Sequence, residues 1–100
     1  MKPGFIYIIT NKNNSTLYIG VTSDIHQRIK EHRNHIYPNS FSARYQLNKL
    51  VYFEVFQQIE DAIGREKQLK AGSRTTKNQL INEFNPEWKD LYFEIENMLE

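Results

Sequence analysis

Residues 5–20 read FIYIITNKNNSTLYIG, and this stretch decides the fold. Its two arms, 5–10 and 15–20, are rich in β-branched and aromatic residues, whereas the segment between them is polar and rich in asparagine. The first composition favours strands and the second favours a turn. The stretch therefore predicts an antiparallel β-hairpin with a loop of about four residues.

The predicted pairing brings two tyrosines together. If Thr10 pairs with Ser15, Tyr7 lies directly opposite Tyr18, and their Cβ atoms are roughly 5 Å apart on one face. Gly20 then lies just beyond the pair and leaves room for a large group to approach the backbone. Tyrosine is also a common strand residue, so the pairing alone favours a structural role for both side chains.

The composition is that of one soluble globular domain over residues 1–100, with 39% hydrophobic and 25% charged residues and no cysteine. The lack of cysteine excludes a disulfide scaffold and a cysteine-based zinc site, and it fits a reducing compartment. We find neither a signal peptide nor an apolar run of membrane-spanning length. These features predict a cytoplasmic protein without membrane contact.

The charge is unevenly distributed along the chain. The net charge is +1, but residues 1–82 hold twelve Lys or Arg against six Asp or Glu, and residues 83–100 hold one lysine against six acidic residues. A basic body can bind a polyanion such as DNA. The acidic tail is equally compatible with a solvated final helix.

Beyond the hairpin, the chain predicts a helix and a third strand. Asp24 and Gln27 are typical of a capping box, so a helix is expected from there to about Ile36. Residues 37–46 are expected to form a surface loop. The apolar run within 47–56 predicts a well-buried, central strand.

Three further helices are expected towards the end of the chain. The first spans about 60–70 and ends at a Gly-Ser pair. Thr75 or Thr76 can cap the next helix, which should run through Phe84 with its apolar residues facing inward. A final helix is expected to begin near Pro86.

Glu66 is the unusual residue of the helix predicted over 60–70. It falls within an apolar stripe made of Ile59, Ala62, Ile63 and Leu69. A carboxylate on an apolar face costs free energy unless it is paired or coordinated. Lys70, one turn further on, can supply an ion pair, so a structural pair and a functional acid both remain open.

The polar candidates for a site are Tyr7, Tyr18, Arg28, His32 and Glu66, with Lys67, Lys70, Arg74 and Lys77 nearby in the sequence. A phenol near a cation is expected to have a lowered pKa and can act as a general base. An arginine fork matches phosphate oxygens, and a lone carboxylate with water and phosphate ligands suits Mg²⁺. Base, phosphate clamp and metal together describe phosphodiester hydrolysis.

A histidine metal site is a weaker interpretation. Of the three histidines, only His32 and His35 share a helix face, and neither a cysteine nor a nearby pair of acidic residues completes a ligand set.

The ordered set of residues resembles the GIY-YIG nuclease superfamily. The resemblance rests on Phe5-Ile6-Tyr7, Tyr18-Ile19-Gly20, Arg28, His32, the segment AIGREKQLK over 62–70 and the segment NPEWKDL over 85–91. It covers roughly residues 4–91. The resemblance is strongest to the small single-domain bacterial members related to the N-terminal nuclease domain of excinuclease C. Phe5 departs from the pattern, because it replaces the first glycine of the motif.

The resemblance implies an α+β fold with a three-stranded antiparallel sheet flanked by helices, in agreement with the predicted order of elements. It also implies an endonuclease dependent on Mg²⁺ or Mn²⁺ that hydrolyses DNA phosphodiester bonds, with branched or damaged DNA of the kind met in DNA repair as the expected substrate.

The resemblance assigns roles to the candidate residues. Tyr7 and Tyr18 match the motif tyrosines, one of which activates the attacking water. Arg28 matches the residue that contacts the scissile phosphate, His32 a residue that assists, and Glu66 the metal ligand. The candidates for DNA binding are Lys67, Lys70, Arg74, Lys77 and Asn78, the last as the downstream asparagine that some members use.

Two alternatives to a nuclease remain open. One is a module with this fold that binds nucleic acid or a protein partner without turnover, which the low net charge favours because few phosphate contacts mean weak binding. The other is a structural domain in which the tyrosines and Glu66 only pack.

Overall fold

The computed structural model describes residues 2–35 and 37–98. Its elements follow in the order β1 (Gly4–Thr10), β2 (Leu17–Thr22), α1 (Ile25–Arg33), α2 (Phe41–Arg44), β3 (Lys49–Phe56), α3 (Ile59–Ala71), α4 (Arg74–Phe84) and α5 (Tyr92–Met98). The predicted α+β class, with a three-stranded antiparallel sheet and flanking helices, is confirmed. Within the described ranges, no helix combines the length and the apolar character that crossing a membrane requires.

The strand order is β2-β1-β3, so the prediction that the third strand is central was wrong. β1 is central and all seven of its residues are buried. The physical reason is that β1 is apolar on both faces, as a strand between two layers must be. β3 lies at an edge and exposes Val55.

The sheet carries a hydrophobic core on each face. α1 and α5 cover the face that holds Tyr7 and Ile9, through Ile25, Ile29 and Ile95. α3 and α4 cover the face that holds Ile6 and Ile8, through Ala62, Leu69 and Ile81. Arg28 of α1 and Glu66 of α3 therefore belong to helices on opposite faces of the sheet.

The hairpin register differs from the prediction. Tyr7 pairs with Gly20 and Tyr18 pairs with Ile9, so the two tyrosines share a face as diagonal neighbours rather than facing each other directly. Thr10 pairs with Leu17, and the loop is longer than predicted because it spans residues 11–16.

The side chain of Asn11 accounts for the longer loop. Its Oδ1 accepts hydrogen bonds from the backbone N–H groups of Ser15 at 2.9 Å and Thr16 at 3.2 Å. Thr10 donates from Oγ1 to the Thr16 carbonyl at 2.7 Å, and Asn14 adopts the left-handed region with φ 58°. These local hydrogen bonds hold Ser15 and Thr16 in the loop, because they compete with the bonds of strand pairing.

The ring of Tyr7 lies across Gly20. A Cβ atom at Gly20 would lie 2.8 Å from Cε1 of Tyr7 and closer still to Cζ and the hydroxyl oxygen. The large group expected to approach Gly20 is thus part of the chain itself. Any side chain at this position would displace the tyrosine.

The first helix is capped as predicted but ends sooner. Asp24 accepts from the backbone N–H of Gln27 at 3.1 Å, and α1 ends at Arg33, while His35 adopts the left-handed region with φ 52°. The predicted end near Ile36 lies outside the described residues. Part of the expected surface loop over 37–46 is instead the short helix α2, because Ser40 caps it by accepting from Ala43 N–H at 3.2 Å.

The helix predicted over 60–70 is confirmed as α3, and the next begins with a different cap. Ser73, not Thr75 or Thr76, accepts from the N–H of Thr76 at 3.1 Å. Phe84 at its end was expected to face inward, but it is about half exposed, with its ring edge against the β3 aromatics.

The final helix begins at Tyr92 rather than near Pro86. Asn85 prevents an earlier start, because its buried side chain donates to the carbonyls of Val51 at 3.2 Å and Lys89 at 2.8 Å. Asp90 then accepts from the N–H of Tyr92 at 3.1 Å.

We expect Gly20→Ala to lower the free energy of unfolding by about 1–3 kcal/mol, because the added methyl overlaps the buried Tyr7 ring. Gly64→Ala is the matched control. Gly64 lies within α3 and has no atom within 4 Å of an added Cβ, so the helix should gain about 0.5–1 kcal/mol. Urea unfolding measures both variants, and equal effects of the two substitutions would contradict the packing of Tyr7 on Gly20.

Candidate active site

Tyr7 lies at the centre of the candidate site. Its side chain is 1% exposed, and its ring spans the width of β2 at Gly20. The hydroxyl oxygen lies 2.9 Å from Nε2 of His32, and Nε of Arg28 donates to it at 3.5 Å. Both partners come from α1, where a spacing of four residues places them one turn apart on the same side.

Burial raises the pKa of the Tyr7 phenol to about 12, and the hydrogen bond and charge of Arg28 only partly oppose this shift. The expectation of a lowered pKa was therefore wrong. The reason is that the phenolate would lose its hydration inside the core, and one partly exposed guanidinium does not compensate for that loss. Tyr7 is protonated at neutral pH in the resting protein.

His32 is neutral in the same conditions. Burial and the nearby charge of Arg28 lower its pKa to about 4. Because the protonated phenol donates to Nε2, the imidazole must carry its own proton on Nδ1. That nitrogen lies 2.8 Å from Oγ of Ser42, to which it donates.

Ser42 is a site residue that the sequence did not reveal. Its side chain is buried, and its hydroxyl lies 3.1 Å from that of Ser40, the cap of α2. Tyr7, His32, Ser42 and Ser40 thus form one chain of hydrogen bonds from the core to the rim of a cleft. No pattern in the sequence marks Ser42, because its partner is ten residues away and its segment is typical of a loop.

Arg28 and Tyr18 are the more accessible members of the group. The Arg28 guanidinium also donates to Glu31 at 3.2 Å and is about one-third exposed. The Tyr18 ring lies 6.4 Å from that of Tyr7 and 5.9 Å from that of His32. Among the described residues, none forms a hydrogen bond with the Tyr18 hydroxyl, which is therefore available to a ligand.

Glu66 lies on α3, which covers the other face of the sheet. It shares the stripe of α3 whose Ala62 and Leu69 pack on the sheet, and its side chain is only 15% exposed. Oε2 lies 3.4 Å from Nζ of Lys70, so the predicted structural ion pair is formed. The Glu66 charge is also one of the influences that raise the pKa of Tyr7, which places the carboxylate within electrostatic reach of the phenol.

A single carboxylate fits only certain metals. The described residues hold no cluster of three or more His, Cys, Asp or Glu that could bind an ion by themselves. Mg²⁺ and Mn²⁺ accept one or two protein carboxylates and complete their shell with water and substrate phosphate. Glu66 alone fits this mode of binding, in which water and phosphate supply the other ligands. It does not fit a site built entirely from protein side chains.

Two depressions lie on either side of Tyr18 and Phe41. The first is a cleft of about 280 Å³ lined by Tyr18, Arg28, Glu31, His32, His35, Tyr37, Ser40, Phe41 and Ser42. The second is a groove of about 350 Å³ lined by Leu17, Tyr18, Ile19, Phe41, Lys70 and Lys77. The cleft contains the hydrogen-bonded histidine and arginine, and the groove contributes two lysines.

The remaining predicted residues lie on α3 and α4. Lys67 is exposed on α3. Arg74 donates to Oδ1 of Asn78 at 3.0 Å and to the backbone carbonyls of 14 and 15 at 2.7 and 3.1 Å, so it ties α4 to the hairpin loop. The structure therefore brings together Tyr7, Tyr18, Arg28 and His32. Glu66 lies on α3 at the other face of the sheet, and Asn78 lies with Arg74.

A family model described as the GIY-YIG catalytic domain matches residues 3–82. The chain belongs to the GIY-YIG family. The matched range contains the whole sheet and each residue of the site described above, which gives the protein a nuclease-type fold.

Relatives within the family carry the name UPF0213 protein. One from Syntrophus aciditrophicus is 34% identical over 87% of this chain and 98% of its own. One from Clostridium perfringens is 38% identical over 78% of this chain and 82% of its own. The solution structure of a UPF0213 protein from Bacillus halodurans is 27% identical, with a TM-score of 0.55 over 88% of this chain and 92% of that one.

We expect His32 to titrate with a pKa of about 4 in the folded protein, against 6.5 for a free imidazole. The unfolded chain then binds the proton more tightly, so the free energy of unfolding should fall as the pH drops from about 6.5 towards 4. NMR titration of the imidazole carbons measures the pKa. Urea unfolding of the wild type and His32→Asn isolates this contribution from that of the carboxylates. A His32 pKa near 6.5 would contradict the buried, neutral imidazole.

Proposed function

We propose that this protein is a metal-dependent endonuclease that hydrolyses phosphodiester bonds in DNA. The observation that carries the proposal is the Tyr7 hydroxyl, which joins Nε2 of His32 at 2.9 Å and Nε of Arg28 at 3.5 Å beside an open cleft. A buried tyrosine hydroxyl usually has one hydrogen-bond partner, whereas this one has two, an imidazole and a guanidinium. A phosphate bound by the exposed side of Arg28 would lie next to the phenol.

Because Tyr7 is protonated at rest, we propose that it acts through a relay and not as a preformed phenolate. A water molecule attacks phosphorus and passes its proton to the Tyr7 oxygen while the phenol proton moves to Nε2 of His32. The bond from phosphorus to the leaving oxygen breaks, and Arg28 neutralises the charge that develops on the phosphate. The same negative charge favours the imidazolium form of His32. The leaving oxygen takes a proton from solvent water, and His32 then releases its proton to solvent, which restores the neutral imidazole and the protonated phenol.

Ser42 has a positioning role in this scheme. Its hydroxyl holds Nδ1–H of His32 at 2.8 Å and so presents the unprotonated Nε2 to Tyr7. Such an orienting partner fixes both the tautomer and the ring direction of a histidine.

Glu66 would hold Mg²⁺ or Mn²⁺ together with water and a phosphate oxygen of the substrate. When bound, the ion supplies positive charge to the phosphate as a Lewis acid. Because Glu66 is the one protein ligand in this proposal, tight metal binding should require the DNA.

A second function is favoured by a specific observation. The pKa of Tyr7 is raised to about 12, and Glu66 already has Lys70 as its partner. Both facts fit a module with this fold that binds nucleic acid without cleaving it. Turnover and its metal dependence separate the two functions.

We expect purified protein to cut single-stranded, duplex or branched DNA only when Mg²⁺ or Mn²⁺ is present. Tyr7→Phe removes the relay hydroxyl and should lower the cleavage rate by about 10²–10⁴. Glu66→Gln should abolish the metal-dependent rate, yet change the free energy of unfolding by less than about 1 kcal/mol, because its ion pair is with a half-exposed lysine.

Two control variants make the same chemical changes outside the site. Tyr52→Phe removes the hydroxyl of another buried tyrosine, which bonds Glu54 outside the site. Glu60→Gln neutralises an exposed carboxylate of α3. Both should retain the wild-type rate. A rate that survives Tyr7→Phe and Glu66→Gln, or the absence of cleavage on every DNA in the panel, would refute the proposed activity.

A further inference from the structure

Exposed aromatic side chains gather at the mouth of the cleft. Tyr37, Phe41 and Tyr45 are 56%, 46% and 45% exposed, whereas most other large apolar side chains of the described ranges are buried. Tyr37 and Phe41 line the cleft, and Tyr45 adjoins Phe41. Three aromatic rings exposed to water beside a polar site cost free energy that burial would recover. Their grouping is typical of a binding surface.

Phe41 and Tyr45, which we call the aromatic platform, pack against each other at the two ends of α2. Their ring centroids are 4.6 Å apart, and the Phe41 ring lies 6.1 Å from that of Tyr18. The backbone N–H of Tyr45 bonds the Phe41 carbonyl at 3.1 Å across the single turn of α2. Phe41 also separates the cleft that contains Arg28 from the groove that contains Lys70 and Lys77. A strand crossing from one to the other would pass over Phe41 or Tyr18, the two rings that line both depressions.

Cations lie beside the exposed aromatic rings, and Glu31, the carboxylate among the described residues that line the cleft, is paired with Arg28. The Arg44 guanidinium lies 5.9 Å from the Tyr45 ring, and the Arg28 guanidinium lies 5.8 Å from the Tyr37 ring. Lys12 and Arg44 also line a polar basin of about 560 Å³ beside Tyr45, in which the described lining residues include no carboxylate. Aromatic rings bordered by cations match a ligand with both π faces and phosphates, which is single-stranded nucleic acid.

We propose that the aromatic platform stacks an unpaired base of the DNA strand next to the scissile phosphate, so that the protein cuts at unpaired nucleotides in preference to continuous duplex. This inference rests on the proposed nuclease function and names its substrate class. In a duplex, the faces of each base are already stacked on its neighbours and cannot contact a protein ring unless the base is extruded. Single strands, flaps and gaps offer free faces at no such cost.

The test compares kcat/KM on a single-stranded oligonucleotide and on the same sequence in a blunt duplex, after the cut position is mapped. Phe41→Leu keeps the apolar volume but removes the π face, and Tyr45→Ala removes the second ring. Each should lower the single-stranded value about tenfold and the duplex value by less than about twofold, as expected for loss of one stacked base. Phe93→Ala, an exposed aromatic on α5, is the matched control and should change neither value.

An abasic nucleotide next to the cut separates stacking from a structural effect. With the base removed, wild type and Phe41→Leu should cleave at the same rate. A duplex preference in the wild type, an equal loss on both substrates, or a loss that persists on the abasic strand would overturn the platform.

A binding measurement distinguishes failure of the platform from failure of the nuclease function. In EDTA, fluorescence anisotropy should show about tenfold weaker binding of the single strand to Phe41→Leu than to wild type, again as one lost stacking contact predicts. If no DNA is cut but this difference is found, the platform stands and the catalytic proposal fails. If DNA is cut but affinity is unchanged, the catalytic proposal stands and the platform fails.

Discussion

The packing of the Tyr7 ring on Gly20 is the contact on which the site depends. β1 is the central strand and would ordinarily hold its side chains inside the core, out of reach of a ligand. Because Gly20 has no side chain, the ring lies across β2 and carries its hydroxyl to His32 and Arg28. The glycine of the second motif segment is therefore a requirement of packing rather than of backbone conformation, since no glycine among the described residues has a positive φ.

Burial sets the protonation of the site. The same desolvation that raises the pKa of Tyr7 to about 12 lowers that of His32 to about 4, since each shift disfavours the charged form. The proton consequently rests on the phenol, and the neutral imidazole accepts a hydrogen bond from it at Nε2. The positive charge of Arg28 opposes the rise in the Tyr7 pKa, because a cation favours a phenolate. It reinforces the fall in the His32 pKa, because a cation disfavours an imidazolium.

Much of the fold and several of the candidate site residues could be predicted from the sequence. The β-branched and aromatic arms with a polar joint indicated the hairpin, and an apolar run indicated the third strand. Asp24 indicated the start of α1, and Glu66 stood out as a carboxylate within an apolar stripe. The pair Arg28 and His32 follows from helical spacing alone. These features depend on local periodicity, which a sequence displays directly.

The features that the sequence did not show arise from tertiary contacts. The hairpin register shifted because Asn11 bonds the loop backbone, and α2 was missed because its turn depends on one serine cap. The role of Ser42 depends on the contact between α1 and α2, which brings its hydroxyl to His32. The direction of the Tyr7 pKa shift could not be foreseen from the neighbouring cation, because the depth of burial decides between the two opposing effects.

The central claim is that Tyr7 and Glu66, from opposite faces of the sheet, serve one site for metal and phosphate. NMR spectra of the protein with Mn²⁺ and an uncleavable phosphorothioate oligonucleotide test it directly, because the paramagnetic ion broadens the signals nearest to it. The account predicts broadening of Tyr7, Gly20 and Glu66 that depends on the oligonucleotide and disappears in Glu66→Gln. Broadening confined to the acidic segment after residue 82, or unchanged by Glu66→Gln, would contradict it.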